Sequence, residues 1–220
     1  PGSTIKYRTL GEGENPYDVT QYGGYRLGAN KNGVSGLNML AEMRSPATIS
    51  GPYTHVIVGE RHDSLGPIRW EDTLKALRHY TETLHAANSA AKAYFYGTWQ
   101  YIDPGAISTW LAFTRAQLTC WECLTSRLNN ELAAAGRSDR VTTLPADGAM
   151  AQLVELSTAS SSAVPGISQS TTDATIFTIF EDEGAGNIVH PTDVGRYFLA
   201  CVIYASLFKR CLLYTSPSPR

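Results

Sequence analysis

Lys92-Ala-Tyr-Phe-Tyr96-Gly-Thr-Trp99-Gln-Tyr-Ile-Asp103-Pro104 is the stretch whose reading decides the fold. Its first five residues are a short aromatic run that reads as a strand, and Gly97 ends it. A polar and aromatic loop follows, and Pro104-Gly105 set up a helix beginning near Ala106. A strand that feeds a loop and then a helix is the repeating unit of a parallel sheet. The same unit recurs on both sides. Upstream, Thr54-His-Val-Ile-Val58 is a β-branched strand, followed by Gly59-Glu-Arg-His-Asp-Ser64. The helix predicted next, from Ile68 to Ala91, keeps Trp70, Leu74, Leu77, Tyr80, Thr81 and Leu84 on one side. Downstream, apolar residues at 110, 111, 118, 121, 124 and 128 predict a helix reaching Gly136, with a break expected near Thr114 to Gln117. Val141-Thr-Thr-Leu144 is the third interior strand. Pro145 then opens a helix running to about Leu156, with Asp147 as its N-cap or first-turn acid. This alternation predicts one α/β domain over residues 4–209, a three-layer α/β/α sandwich with a mostly parallel sheet.

The flanks are less regular. Thr4 to Leu10 alternates like a strand, Gly11 to about Gly36 has no durable period, and Val34 to Met43 carries a helical face. Ser157 to Thr172 is a Ser/Thr-rich surface loop or lid. Ala174 to Phe180 is a short apolar segment, and Thr192 to Lys209 is an amphipathic helix expected to bury Val194, Tyr197, Phe198, Cys201, Val202, Ala205 and Phe208 on one broad face. At the ends, Pro1-Gly-Ser3 reads as the remnant of tag cleavage, and 211–220 reads as a translated sequencing adapter. Both are expected to carry no function.

Composition bounds the partners. With 220 residues, 43% apolar content and a formal charge of -2, the chain can build a real core and has no basic cluster for tracking phosphates. Nucleic acid is not an expected partner, and no membrane contact is expected, since no run of about 18 apolar residues occurs. Cys120-x-x-Cys123 falls inside a helical stretch without a second pair or a nearby His, so helix cysteines are expected rather than a metal site. A zinc set drawn from His62, Asp63 and His190 matches no zinc spacing. No metal and no cofactor are expected.

In an open α/β sheet, chemistry collects at the carboxyl ends of the strands. The segments after Val58 and Tyr96 are therefore candidates, and a third is Phe180-Glu-Asp-Glu-Gly-Ala-Gly-Asn-Ile-Val-His190-Pro-Thr-Asp193-Val-Gly195-Arg-Tyr197. Tyr96-Gly-Thr-Trp99 together with His190-Pro and the Gly195-Arg-Tyr197 helix resembles the SGNH (GDSL-like) hydrolases, whose fold is flavodoxin-like. The resemblance covers roughly residues 5 to 208. It implies that His190 is the general base of a Ser-His-Asp triad, acting on a small-molecule or glycan ester. The family's acid stands three residues before the base, where this chain has Asn187, so the acid is sought at Asp182 or Asp193, or is lacking. The family's oxyanion amide is matched by Gly59-Glu60, which offers no amide donor. Its Gly-x-Ser block would precede the matched region, leaving Ser3, Ser35 and Ser64 as stand-in nucleophiles. Ser64 is the best placed by position, although a turn role suits it, an N-cap role suits Ser35, and Ser3 belongs to the tag remnant. The candidate set is His190, Asp182, Asn187 and Ser64 for catalysis, with Glu60, His62, Trp99 and Asp103 lining the substrate cleft. The competing expectation is a non-catalytic glycan-binding or structural protein on the same fold.

Overall fold

The computed structural model describes residues 43–46, 51–60, 65–70, 73–184, 186 and 188–209. The expected strand at 4–10, nearly all of the helix at 34–43, and residues His62, Ser64 and Asn187 lie outside them. Three strands, β1 (His55–Gly59), β2 (Lys92–Tyr96) and β3 (Val141–Leu144), form a sheet in the order β1-β2-β3. β1 and β2 run parallel, with His55 opposite Lys92 and Gly59 opposite Tyr96. The helices are α1 (Leu65–Trp70), α2 (Thr73–Ala87), α3 (Ile107–Ala134), α4 (Ala146–Ala159), α5 (Thr172–Ile179) and α6 (Asp193–Phe208). A small, mostly parallel sheet flanked by helices is thus the observed architecture.

The chain divides into two compact units, one holding residues up to Tyr96 with Cys120–Thr143, the other Gly97–Thr119 with Leu144 onward. In the first, strand alternation sends Ala93 and Phe95 to one face. There they join Ala76, Leu77, Tyr80 and Leu84 of α2 and Trp121, Leu124, Leu128 and Leu132 of α3 in one buried cluster. Phe95 and Trp121 have ring centroids 5.1 Å apart, inside the range where aromatic pairs add to simple area burial. Two asparagines fasten helix to strand. Asn88, just past α2, donates to the Tyr53 carbonyl, and Asn129 of α3 both donates to and accepts from the backbone of Val141. These bonds give buried and half-buried peptide groups beside the strand starts hydrogen-bond partners.

Four elements differ from the sequence expectation. In the last helix Val194, Tyr197 and Phe208, expected on the buried face, are exposed, and the helix is buried at Gly195 and Leu199 instead. The helix expected from Ile68 to Ala91 is helical over Leu65–Trp70 and Thr73–Ala87, residues 71–72 lying outside the described residues, and it ends four residues early, before Asn88. The break expected near Thr114 does not occur, and α3 is continuous over 28 residues. Its polar residues there belong to the inward stripe: Trp110, Thr114, Gln117, Trp121, Leu124, Leu128 and Leu132 are all buried and recur every three or four positions. Gln117 meets the cost of burial by donating from Nε2 to the Thr98 carbonyl at 3.0 Å. The apolar segment before Phe180 is itself a helix, α5, capped by Thr171, whose hydroxyl accepts from the Ala174 amide.

Candidate active site

The histidine block lies in the second unit and is built on a doubling back of the chain. After α5, Phe180 pairs antiparallel with Pro191. The Glu181 amide donates to the His190 carbonyl and the Thr192 amide donates to the Ile179 carbonyl. Between these rungs the chain turns through Gly184 and Gly186, whose φ values of 82° and 78° are left-handed and suit glycine. Thr192 then caps α6, its hydroxyl accepting from the Gly195 amide and donating to the Thr178 carbonyl. The cap binds the new helix to the end of the old one. Gly195 is needed for this approach: a Cβ there would stand 2.5 Å from the Ile179 carbonyl oxygen and 2.8 Å from Pro191 Cβ.

The doubled chain brings Glu183 to the histidine. His190 Nδ1 lies 2.6 Å from Glu183 Oε1, with the imidazole side chain 51% exposed. An ionised carboxylate only accepts, so Nδ1 carries the shared proton, and in the neutral imidazole Nε2 is then an acceptor. The other acids have different partners. Asp182 accepts from the Gly184 amide and shapes the turn. Asp193 pairs with Arg196, which also reaches Glu181. The carboxylate beside His190 is therefore Glu183, seven residues upstream of it, a residue the sequence reading did not single out.

Trp99 supports this arrangement from behind. It is 6% exposed, its ring packs edge-on to Phe180, and its indole N–H donates to the Val189 carbonyl at 2.9 Å. The Ile102 amide donates to the Ile188 carbonyl at 2.8 Å, so the segment leaving β2 lies alongside 188–189 and fixes the backbone entering His190. Trp110 closes the other side of Phe180 and donates to the Gln100 carbonyl. Asp103 caps the short 3-10 turn Pro104–Ala106, accepting from the Gly105 amide. Tyr101 turns outward, 51% exposed.

Asp147 is a first-turn acid of α4, as expected, but Pro145 holds the N-cap position. Its carboxylate is fully buried, accepts from the Gly148 amide, and sits where a Cβ on Gly97 would be, 2.5 Å from Oδ1. In the first unit, Glu60 accepts from the Thr73 hydroxyl at 2.9 Å. Glu60 and Asp103 thus each have a local structural partner.

Among the described residues, no group of three or more His, Cys, Asp or Glu side chains is arranged to hold a metal ion, and no helix is long and apolar enough to cross a membrane. Cys120 and Cys123 are free thiols on α3. Comparison with known protein families, with characterised proteins and with solved structures gives no match.

Proposed function

We propose that this chain is a hydrolase of the SGNH type acting on carboxylic or carbohydrate esters, with His190 as general base and Glu183 as the acid that orients it. One observation carries the reading: the 2.6 Å contact between His190 Nδ1 and Glu183 Oε1 on a half-exposed ring. A carboxylate–imidazole hydrogen bond so open to water contributes at most about 1 kcal/mol to stability. Its chemical effect is larger, because fixing the Nδ1 proton keeps Nε2 in the form that takes a proton from a hydroxyl. In such a reaction the base accepts that proton as the oxygen attacks the ester carbonyl, then returns it to the departing alcohol. Ser64 is the serine that sequence position offers as the attacking group.

The direct test is hydrolysis of a short-chain aryl ester by the wild-type chain and by His190→Ala and Ser64→Ala. Turnover lost in both variants supports the reading, and turnover unchanged in His190→Ala sinks it. A second reading, a glycan-binding protein without catalysis, is favoured by two outward aromatic rings of the second unit, Tyr101 at 51% and Tyr197 at 58% exposure. Such rings provide the apolar face with a polar tip that sugars stack on. Sugar binding with no ester turnover in the wild-type chain would select it.

A further inference from the structure

The Ser/Thr-rich stretch after α4 is ordered into a cavity. Its chain turns back at Gly166 and is pinned by Ser168, a buried residue whose hydroxyl donates to the Ser157 carbonyl at 2.7 Å and accepts from the Val164 amide at 2.9 Å. The Gln169 amide donates to the Thr175 hydroxyl at 2.9 Å, fixing the return into α5. Between the end of α4 and the start of α5 lies an open cavity of about 170 Å³. Nine residues line it, eight with hydroxyl side chains and the ninth Gln169. No charged or apolar side chain is among them. Ser157, in its wall, is 1% exposed, and its hydroxyl has no partner among the described residues.

From this lining we infer a binding site for a neutral polyhydroxyl ligand, a sugar or a sugar-like polyol, between α4 and α5. Hydroxyl groups donate and accept at once, so a wall of them matches a ligand made of the same groups. Ser160, Ser161, Ser170 and Thr172 point the chemistry outward, while the hydroxyls of Thr158 and Thr171 are engaged within their own helices. An anion fits worse. The first-turn amides of α5 would favour one, but no Lys or Arg lines the cavity, and Asp173 occupies that same first turn. The site is distinct from His190: α5 has eight residues, so its N-terminal end lies roughly 12 Å along the helix from the end that carries the histidine block. The inference does not rest on ester chemistry.

Backbone amide spectra of the ¹⁵N-labelled full chain, titrated with xylotriose and separately with inorganic phosphate, test it. The expected result is saturable movement of the resonances of Ser160, Ser161, Ser170 and Thr172 with xylotriose, with affinity at least tenfold weaker in the double variant S170A/T172V. Both positions are exposed and hold no side-chain hydrogen bond among the described residues, and a fingerprint otherwise unchanged confirms that the variant is folded. Absence of movement with xylotriose overturns the inference. So does movement that survives the double substitution, or tighter binding of phosphate than of the sugar.

Discussion

Replacing Gly195 by Ala probes how the histidine block is held. The added Cβ would lie 2.5 Å from the Ile179 carbonyl oxygen and 2.8 Å from Pro191 Cβ, where ordinary contact begins at 3.4 Å. Both neighbours are stiff, one a backbone carbonyl and the other a proline ring. The start of α6 must therefore withdraw from the end of α5 by about 0.9 Å. That movement stretches the bond from the Thr192 amide to the Ile179 carbonyl, now 2.9 Å, and the bond from the Thr192 hydroxyl to the Thr178 carbonyl, now 2.6 Å. Overpacking of this kind costs about 1–3 kcal/mol, and each lost hydrogen bond about 0.5–1.5 kcal/mol. Against them stands the better helix propensity of Ala, about 1 kcal/mol. The net expectation is destabilisation by about 2 kcal/mol, read as a lower midpoint in urea unfolding. Val194→Ala, one residue away on the exposed face, is the control and should change stability by less than about 0.5 kcal/mol. If Gly195→Ala matched or exceeded the wild type, propensity alone would have decided the outcome, and the close approach of α5 and α6 would be refuted.

Other perturbations follow from the same packing. Trp121→Ala, which empties a fully buried position against Phe95, should cost about 3–5 kcal/mol in chemical denaturation. Stability should be complete above about pH 6.5 and decline below it. Burial holds both His55 and His79 under the ordinary value of 6.5, helped by Lys92 at the first and Arg44 at the second, although Glu82 opposes the shift at His79. The unfolded chain therefore takes up those protons first as the pH falls. A second acid limb belongs to Asp139. Burial alone would raise its pKa, but hydrogen bonds from Arg137 and the backbone, and the charges of Arg137 and His85, together hold it below the ordinary 3.8. Its contribution is present above 3.8 and is lost as pH falls through the depressed value, and Arg137→Ala should move that limb to higher pH in acid-unfolding titrations. Gly97→Ala should destabilise by about 1–3 kcal/mol in thermal unfolding, because its Cβ would meet the buried Asp147 carboxylate.

The strands were legible because each is a short β-branched or aromatic run closed by a turn residue, as Tyr94, Phe95 and Gly97 show. α3 was legible as a helix and misread at its middle. Thr114 and Gln117 look like an interruption of an apolar face, and a sequence does not display that a carbonyl at Thr98 is waiting for the glutamine amide. α5 was too short for its period to declare itself, and its cap at Thr171 was hidden in a run of similar hydroxyls. The site divides in the same way. His190 stood out through the motif around it. Glu183 did not, because its meeting with His190 depends on a chain reversal through Gly184 and Gly186, and helical or strand periodicity carries no record of a seven-residue return. The signal that was present is compositional: an acid, two glycines and a histidine within Glu183–His190, bracketed by the apolar Ile179 and the capping Thr192. Trp99 reads from the sequence either as a cleft residue, by resemblance, or as a cap on the core, and its buried ring and its bond to Val189 show it supporting the backbone that enters the histidine.

The measurement that bears most directly on the central claim is the rate of short-chain aryl ester hydrolysis for the wild type, His190→Ala and Glu183→Gln, with folding of each variant verified by unfolding midpoint. The account predicts loss of turnover in His190→Ala and a fall of roughly 10²–10⁴-fold in Glu183→Gln. Unchanged rates in Glu183→Gln, with His190→Ala still inactive, would contradict the role given to Glu183. Unchanged rates in both would contradict the assignment of the histidine block as an active site.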